Sequence, residues 1–198
     1  MRRMKINLAA FAHGFARERL RAGGFFVDAT AGNGHDTAFL AEIAGEAGRV
    51  DAFDVQPEAL EATRERLERS GLSGRVSLHL CGHENMAERL GSARLGTADA
   101  VFFNLGYLPR SDRRVKTRAE TTLRALDAAW ALLAPGGFIS LTVYVRHEGG
   151  FEESAQVDAW LEKMRGNGDA ELFLCGAHNP VEPWWAGVVK RARGAGTA

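Results

Sequence analysis

The stretch from Phe25 to Asp54 constrains the fold more than any other part of the 198-residue sequence. It contains two apolar runs, Phe25–Val27 and Val50–Phe53, and an acidic residue directly follows each run. Between the runs lie a turn of small residues, 29–34, and a segment in which apolar residues recur at helical spacing. The pattern of strand, glycine turn, helix and strand predicts one parallel crossover unit.

The turn and the two acids predict a pocket for a ligand that contains a nucleoside. Gly32 and Gly34 allow the backbone to turn sharply and to approach a ligand closely, because neither has a Cβ atom. The following helix directs its free N–H groups into the same crevice. Asp54 comes 20 residues after Gly34, at the end of the neighbouring strand, where a carboxylate can accept hydrogen bonds from ribose hydroxyls.

The residues around the turn favour S-adenosylmethionine over a nicotinamide dinucleotide. The dinucleotide fingerprint needs a small third residue at the position that Thr37 occupies. Asp28 directly precedes the turn, where a carboxylate would oppose a pyrophosphate but would attract the ammonium group of S-adenosylmethionine. A dinucleotide, or a glycine turn without a ligand, stays open as an alternative at this point.

The composition narrows the class of protein. Lysine plus arginine equals aspartate plus glutamate at 25 each, so any attraction to nucleic acid must be local. Cys81 and Cys175 lie far apart in apolar surroundings, which predicts buried thiols in strands rather than a disulfide or a metal site. No apolar run approaches the ~18 residues of a membrane span, and the basic N-terminus lacks the apolar core of a signal peptide. We therefore expect a cytoplasmic protein that binds neither metal nor membrane.

Further along the chain, strand patterns alternate with helical patterns. Strands are predicted at 25–27, 50–53, 76–81, 99–105, 138–145, 171–175 and 184–189. Helices are predicted at 5–21, 37–44, 57–70, 117–133 and 152–164. The last two strands have no helical pattern between them and should form an antiparallel hairpin. The prediction is a single α/β domain over 1–198, a Rossmann-like, doubly wound, mostly parallel seven-stranded sheet, with a disordered tail at 193–198.

The helix predicted at 117–133 has the clearest local signals. Thr117 and Glu120 have capping-box spacing, and the sequence Pro135-Gly136-Gly137 is expected to end the helix. The residues expected on its buried face are Leu123, Leu126, Trp130 and Leu133.

Ligands of doubly wound sheets bind at the carboxyl ends of the strands, so the residues there are candidates for chemistry. These residues are Asp28, Asp54, His83, Asn104 and His147. The fourth strand continues as Asn-Leu-Gly-Tyr-Leu-Pro, in which the Asn104 carbonyl could accept a hydrogen bond from an amine and Tyr107 could offer a flat face to a base. Alternatively, Asn104 caps a turn and Tyr107 packs. No cysteine nucleophile is present there, which favours methyl transfer to nitrogen over transfer to a pyrimidine carbon.

An alkylamine is mostly protonated at neutral pH, so this reaction needs a group that takes its proton. The candidates are His147, Asp28, Tyr144 and His35. We expect His147 to lead because it follows the fifth strand, although a histidine at a strand end also fits a structural role.

A basic stretch follows the fourth strand. It contains a single acidic residue, Asp112, and five cationic ones: Arg110, Arg113, Arg114, Lys116 and Arg118. We expect them to contact RNA phosphates around a flipped nucleotide, with a solvated loop as the alternative. Trp184 and Trp185 could stack on bases or could pack, and packing is the better fit.

Several motifs together resemble the bacterial class I methyltransferases long labelled rRNA methylases, a group more recently associated with tRNA. The motifs are VDATAGNGHDT, FDVQPEALEATRERL, His83-Glu84, FNLGYLP, TT-x-x-AL and Tyr144-x-x-His147-x-Gly149-Gly150, and they cover residues 5–190. The resemblance implies S-adenosylmethionine as methyl donor and the aminomethyl nitrogen of 5-aminomethyl-(2-thio)uridine at the tRNA wobble position as acceptor. It also implies binding of the anticodon stem-loop, with a homodimer as an option.

The resemblance also implies which residues form the two sides of the site. The acceptor side is expected to hold Asn104, Tyr107, Tyr144 and His147. The cofactor side is expected to hold Asp28, Gly32, Asn33, Gly34, His35, Asp36, Thr37, Asp54, Val55, Gln56, His83, Glu84 and Asn104. Two departures concern the acceptor side: Arg110 stands where the family pattern has a small residue, and YVRH replaces a YPGH-like sequence.

Three other readings of the sequence make different predictions. An rRNA or small-molecule amine methyltransferase would use another acceptor. A cofactor-binding RNA adaptor would have no catalysis, and a dehydrogenase would bind NADH.

Overall fold

A computed structural model of the chain describes residues 7–106, 117–176 and 181–192. The helices are α1 (Leu8–Arg19), α2 (His35–Ala44), α3 (Pro57–Arg69), α4 (Met86–Leu90), α5 (Ala119–Leu132) and α6 (Gly150–Gly166). The strands are β1 (Phe25–Asp28), β2 (Arg49–Asp54), β3 (Val76–Leu80), β4 (Ala98–Leu105), β5 (Leu133–Val143), β6 (Ala170–Gly176) and β7 (Trp184–Lys190). Short 3₁₀ turns lie at 73–75, 83–85 and 92–94.

The strands form one seven-stranded sheet in the order β3-β2-β1-β4-β5-β7-β6. β1 to β5 are parallel, whereas β7 runs antiparallel to both β5 and β6. The predicted mostly parallel sheet with an antiparallel terminal hairpin is therefore confirmed. The direction of the winding changes between β1 and β4, so the crevice for a ligand lies beyond the carboxyl ends of these two strands.

The central strands are buried on both faces, which explains their nearly continuous apolar sequence. Phe102 and Phe103 of β4 point to opposite sides because side chains alternate along a strand. Phe102 packs with Leu40 of α2 and Phe138 of β5, in the same apolar cluster as residues of α1 and α3. Phe103 belongs to a second cluster that includes residues of α4, α5 and α6. These two layers hold the sheet rigidly and fix the positions of the strand ends.

Helix α1 covers the sheet close to its antiparallel edge. Its buried residues are Leu8, Ala12 and Ala16, whereas Phe11 is 42% exposed. Phe15 carries the contact with β7, since its ring lies 4.9 Å from the ring of Trp185. Helix α1 therefore packs through small buried residues together with the ring of Phe15.

Helix α5 corrects two local predictions. Arg118 is its N-cap residue and makes no side-chain capping bond, while the Thr117 hydroxyl bonds to Glu153 instead. The residues on its buried face are Thr122, Ala125, Leu126, Ala129 and Leu132. The buried face is thus rotated from the predicted one, Leu133 begins β5, and 135–137 lie within that strand.

The packing predicted for the two tryptophans is observed, whereas the predicted burial of the two cysteines is only partial. Trp185 is buried and donates from Nε1 to Ser140 Oγ over 2.9 Å, and Trp184 donates to Ser154 Oγ over 3.0 Å, so both rings pack as expected. Cys81 and Cys175 are free thiols, but both are only partly buried, and Cys81 follows β3 rather than belonging to it. Throughout 7–106, 117–176 and 181–192, each helix is too short or too polar to span a lipid bilayer. The tail at 193–198 lies outside the described residues.

Candidate active site

Asp28 occupies the centre of the site, at the end of β1. Its carboxylate is fully buried, and it accepts hydrogen bonds from the Thr37 hydroxyl (2.6 Å, to Oδ2) and from the Thr30 backbone N–H (3.1 Å, to Oδ1). Burial, with a smaller contribution from the charge of the neighbouring Asp36, raises the pKa of Asp28 to about 7. Asp28 can therefore change charge near neutral pH, and a positively charged ligand group would favour its ionised form.

The glycine turn packs tightly against α3. Gly34 is the N-cap residue of α2 and has a φ of 74°, in the left-handed region. A Cβ atom at Gly34 would lie 2.8 Å from Thr63 Cα, so both the backbone conformation and the available space require glycine. Thr63 also donates from its hydroxyl to the carbonyl of Gly32 over 3.1 Å. Helix α3 thereby holds the turn in place under the crevice.

Asp54 ends β2 and connects the turn to the next loop. Its Oδ2 accepts from the Gly32 N–H and its Oδ1 from the Gln56 N–H, each over 2.9 Å. Burial raises the pKa of Asp54, while these backbone hydrogen bonds lower it. Each carboxylate oxygen keeps a second lone pair, which could accept a ribose hydroxyl. The next residue, Val55, has a side chain that is 56% exposed, beside the Asp54 carboxylate that could hold the ribose.

The outer wall of the turn is basic. Arg66 of α3 donates from Nε to the Asn33 carbonyl over 2.7 Å, and its Nη2 lies 3.1 Å from His35 Nε2. Burial and the Arg66 charge lower the pKa of His35, so this imidazole is neutral at pH 7. A neutral ring on this wall can contact an uncharged part of a ligand.

His83 and Glu84 lie in the 3₁₀ turn after β3. The His83 side chain is buried, with its ring 5.9 Å from the Phe103 ring, and burial lowers its pKa. These contacts hold His83 as a neutral packed residue at the edge of the crevice. The predicted cofactor contacts of His83 and Glu84 stay predictions.

Asn104 joins the ends of β4 and β1. Its backbone N–H donates to the Thr30 hydroxyl over 2.8 Å, and its side-chain Nδ2 donates to Asp36 Oδ2 over 2.7 Å. The bond to Asp36 fixes the orientation of the amide, which leaves the Asn104 Oδ1 as an acceptor. The predicted role of Asn104 as acceptor for a substrate amine stays a prediction.

The other oxygen of Asp36 contacts a residue that the sequence analysis missed. His13 of α1 places its Nε2 2.6 Å from Asp36 Oδ1. The two residues are 23 positions apart, and His13 was visible in the sequence only as a histidine within an amphipathic helix. No local spacing could have linked it to the crevice.

Tyr144 lies directly after β5. Its backbone N–H donates to the Leu105 carbonyl over 3.0 Å, which holds it beside the end of β4. The side chain is 42% exposed, and its pKa is raised by burial and then by the Asp36 charge. The structure thus brings Tyr144, Asn104, Asp36 and Asp28 to one crevice, and of these Asp28 and Asn104 are strand-end residues named in the sequence analysis.

His147 has a different environment from the one expected of a proton acceptor at the centre of the site. Its side chain is 5% exposed, and its Nε2 lies 3.8 Å from Glu153 Oε2 of α6. Glu153 is buried and accepts from the Thr117 hydroxyl over 2.8 Å and from the Thr122 hydroxyl over 2.5 Å. This cluster of Glu153, His147, Thr117 and Thr122 was also missed by the sequence analysis. The proposed proton transfer by His147 stays a prediction.

Most of the predicted RNA contacts fall outside the described residues: Tyr107, Arg110, Arg113, Arg114 and Lys116. Arg118 is described and is exposed at the start of α5. The Thr117 N–H donates to the carbonyl of Gly106, the residue after β4, over 2.9 Å. Arg118, the next residue, therefore lies close to the carboxyl end of β4. A cation is therefore available beside the crevice.

A family model described as "Putative rRNA methylase" matches residues 50–179 of the chain. The chain belongs to the rRNA methylase family. A relative from Arabidopsis thaliana, the chloroplastic tRNA (mnm(5)s(2)U34)-methyltransferase, is 39% identical over 75% of this chain. The alignment spans 57% of the length of that relative. The predicted family is thus confirmed, and the predicted enzyme class, an S-adenosylmethionine-dependent methyltransferase, is confirmed for the family.

Two solved structures cover almost the whole fold. A "putative rRNA-methylase" from Clostridium thermocellum has 37% identity and a TM-score of 0.83, and the match covers 94% of this chain and 99% of that one. A "putative methyltransferase" from Streptococcus mutans, solved in complex with SAH, has 32% identity and a TM-score of 0.80 with the same coverage. The predicted fold and cofactor class are therefore those of family members with known structures.

Proposed function

We propose that this chain transfers a methyl group from S-adenosylmethionine to the aminomethyl nitrogen of 5-aminomethyl-(2-thio)uridine at the wobble position of tRNA. The observation that carries the proposal is the fixed amide of Asn104. Its Nδ2 is held by Asp36 over 2.7 Å, so its Oδ1 is the group left to accept an N–H from a substrate amine.

The residues of the crevice fit S-adenosylmethionine. The buried charge of Asp28 can attract the ammonium group from beneath the crevice, Asp54 can hold the ribose hydroxyls, and Gly34 allows the sharp turn between β1 and α2. A pyrophosphate would meet the carboxylates of Asp28 and Asp36, which disfavours a dinucleotide. When bound, S-adenosylmethionine supplies an electrophilic methyl group on a sulfonium ion.

The chain's own residues then orient the acceptor. The amine must lose one proton before it attacks, because an ammonium nitrogen has no lone pair. Asn104 Oδ1 accepts one N–H of the neutral amine and so directs the nitrogen lone pair away from itself, towards the crevice. The exposed ring of Tyr144 offers a face on which a uracil base can stack. With S-adenosylmethionine bound, the carbon–sulfur bond would break as the carbon–nitrogen bond forms, which would give S-adenosylhomocysteine and a secondary ammonium ion.

The tRNA assignment is supported by the similarity to the tRNA (mnm(5)s(2)U34)-methyltransferase of Arabidopsis thaliana and by the cation at Arg118. The basic residues 110–116 lie outside the described residues, and their contact with the anticodon stem-loop belongs to the proposal. The single-domain organisation over 1–198, a cytoplasmic location and a homodimer also belong to it.

The test is methyl transfer from labelled S-adenosylmethionine to bulk tRNA that lacks this modification, followed by mass spectrometry of the nucleosides. The expected result is a gain of one methyl on the aminomethyl uridine. Asn104→Asp should abolish transfer, because the new carboxylate keeps the size of the side chain but cannot donate to Asp36. Asn167→Ala, at the exposed C-cap of α6, is the matched control and should retain full activity.

Three other outcomes would contradict the proposal in different ways. Label on rRNA alone would point to the acceptor in the family's description, and label on small amines without RNA would remove RNA from the reaction. Binding of S-adenosylmethionine with no transfer to any acceptor would favour the adaptor reading.

A further inference from the structure

Helix α1 contributes a polar side chain to the crevice in addition to its apolar packing. The imidazole of His13 stacks on the ring of Phe39 of α2, with centroids 3.7 Å apart and planes 1° from parallel. This stack aims His13 Nε2 at Asp36 Oδ1, 2.6 Å away, and only about a quarter of the His13 side chain is exposed. Both the ring plane and the hydrogen-bonding atom of His13 are therefore fixed.

Asp36 passes this constraint to the acceptor side. One of its oxygens contacts His13 and the other contacts the Asn104 amide, over 2.6 and 2.7 Å. A carboxylate held at both oxygens cannot rotate without breaking one of the two bonds. Three residues from α1, α2 and β4 thus form a continuous hydrogen-bonded chain that ends at the proposed amine acceptor.

We propose that His13 is a positioning residue for the methyl acceptor: through Asp36 it sets the orientation of the Asn104 amide. The proposal rests on the proposed function for its catalytic consequence. His13 touches neither cofactor nor substrate in this role, and it acts only through Asp36. The N-terminal helix is then part of the active site, and its position relative to the sheet determines whether Asn104 presents its oxygen to the amine.

The charged groups around His13 are consistent with a fixed donor at this position. Arg17, on the same helix, has its guanidinium 4.9 Å from the Phe39 ring, on which His13 stacks. His35 is held by Arg66 of α3, so it is already engaged on the outer wall. The acidic group within hydrogen-bond distance of His13 is Asp36. The substitution His13→Phe removes this contact.

Two substitutions separate the hydrogen bond from the ring stack. His13→Phe keeps an aromatic ring on Phe39 but removes the donor to Asp36, whereas His13→Gln keeps an N–H at a similar distance and removes the ring. If His13 positions Asn104, His13→Phe should lower kcat by about 10- to 100-fold, the usual range for a lost hydrogen bond to a charged group. His13→Gln should stay within about threefold of wild type, with KM for S-adenosylmethionine unchanged in both variants. The reverse pattern, with Phe active and Gln inactive, would show a packing role and overturn the proposal.

A double-mutant cycle tests the same chain by another route. Asp36→Asn should also lower kcat, and combination with His13→Phe should give no further loss, because both variants break one chain. Losses that multiply would mean that His13 and Asp36 act independently, and the proposal would be wrong.

An RNA-independent measurement separates this proposal from the proposed function. In NMR spectra of protein saturated with S-adenosylhomocysteine, the Asn104 side-chain NH₂ should exchange with solvent faster in His13→Phe than in wild type or His13→Gln. Unchanged exchange would overturn the positioning role whatever the substrate is. If the wild-type protein fails to methylate tRNA while the exchange rates change as expected, the proposed function is wrong and the positioning role stands.

Discussion

Thr37 donates a hydrogen bond from its hydroxyl to Asp28 Oδ2 over 2.6 Å, and both side chains are fully buried. The third position of the glycine motif, which in a dinucleotide site would be small, is thus occupied by a residue that stabilises the ionised form of an acid. The pair links the fingerprint in the sequence to the chemistry of the crevice.

The affinity for S-adenosylmethionine should rise from pH 6 to pH 7, below the range in which the ligand's own ammonium group loses its proton. Without ligand, the pKa of Asp28 is raised to about 7, so much of this carboxyl is protonated at pH 6. The ligand's ammonium favours the ionised form, so binding below pH 7 must release a proton. We expect affinity to be about fivefold weaker at pH 6 than at pH 7. Calorimetry in buffers of different ionisation enthalpy measures the released proton. Asp28→Asn should bind weakly at both pH values, and a pH-independent wild-type affinity would contradict this account.

Thr37→Val should move the pH dependence of binding to higher pH. Valine keeps the shape of threonine but removes the hydroxyl that lowers the pKa of Asp28. The lost hydrogen bond to a buried charge should weaken cofactor binding at pH 7 by about 1.5–3 kcal/mol. Thr37→Ser keeps the hydroxyl and is the control. Isothermal calorimetry at pH 6.5 and pH 8 compares the three proteins, and equal profiles for Val and Ser would exclude this role of the hydroxyl.

Gly34→Ala should unfold more easily and bind cofactor more weakly. A left-handed residue other than glycine costs about 1–2 kcal/mol, and the added Cβ would also lie 2.8 Å from the Thr63 backbone. Gly71→Ala is the matched control, because Gly71 has a φ of 66° with open space around it. We expect Gly71→Ala to lose only the stability that a left-handed backbone conformation costs, and to keep normal cofactor affinity. Urea unfolding and calorimetry make the comparison, and equal losses in the two variants would mean that the contact with α3 has no effect.

Glu153→Gln should lower the stability of the protein by weakening the contact between α6 and the start of α5. The buried carboxylate accepts hydroxyl hydrogen bonds from Thr117 and Thr122, and an amide can accept at only one of its two positions. We expect the free energy of unfolding to fall by about 1–3 kcal/mol. Glu152→Gln, one residue earlier and exposed, should change it by less than about 0.5 kcal/mol. Chemical denaturation measures both variants, and a Glu153→Gln protein as stable as wild type would show that the carboxylate charge is not needed.

Sequence patterns predicted the elements with strong periodicity and missed those that depend on their neighbours. The short apolar runs in β1 and β7 were sufficient for strand assignment. Helix α4 has five residues, too few to give a helical period. The capping box at Thr117 has the right residues, but the threonine hydroxyl finds Glu153 instead, a partner 36 positions away.

In the candidate site, too, some positions followed from the sequence and others depended on distant neighbours. Asp28, Gly34 and Asp54 belong to one continuous crossover unit, so their spacing along the chain fixes their positions in space. His147 follows a strand end as expected, but its ring lies 3.8 Å from Glu153 of α6, which no spacing around His147 indicated.

The sequence by itself determined the crossover unit, the cofactor class and the family, because these depend on residue types at short, fixed separations. Only the tertiary structure joined His13 to Asp36 and Asp36 to Asn104, across 23 and 68 positions of the chain. Such contacts depend on how α1 packs against the sheet, and that packing is set by the shapes of Phe15, Trp185 and Phe39 in three dimensions. Local periodicity specifies which face of a helix is apolar, but it does not specify which polar residue on that helix will meet an acid on another.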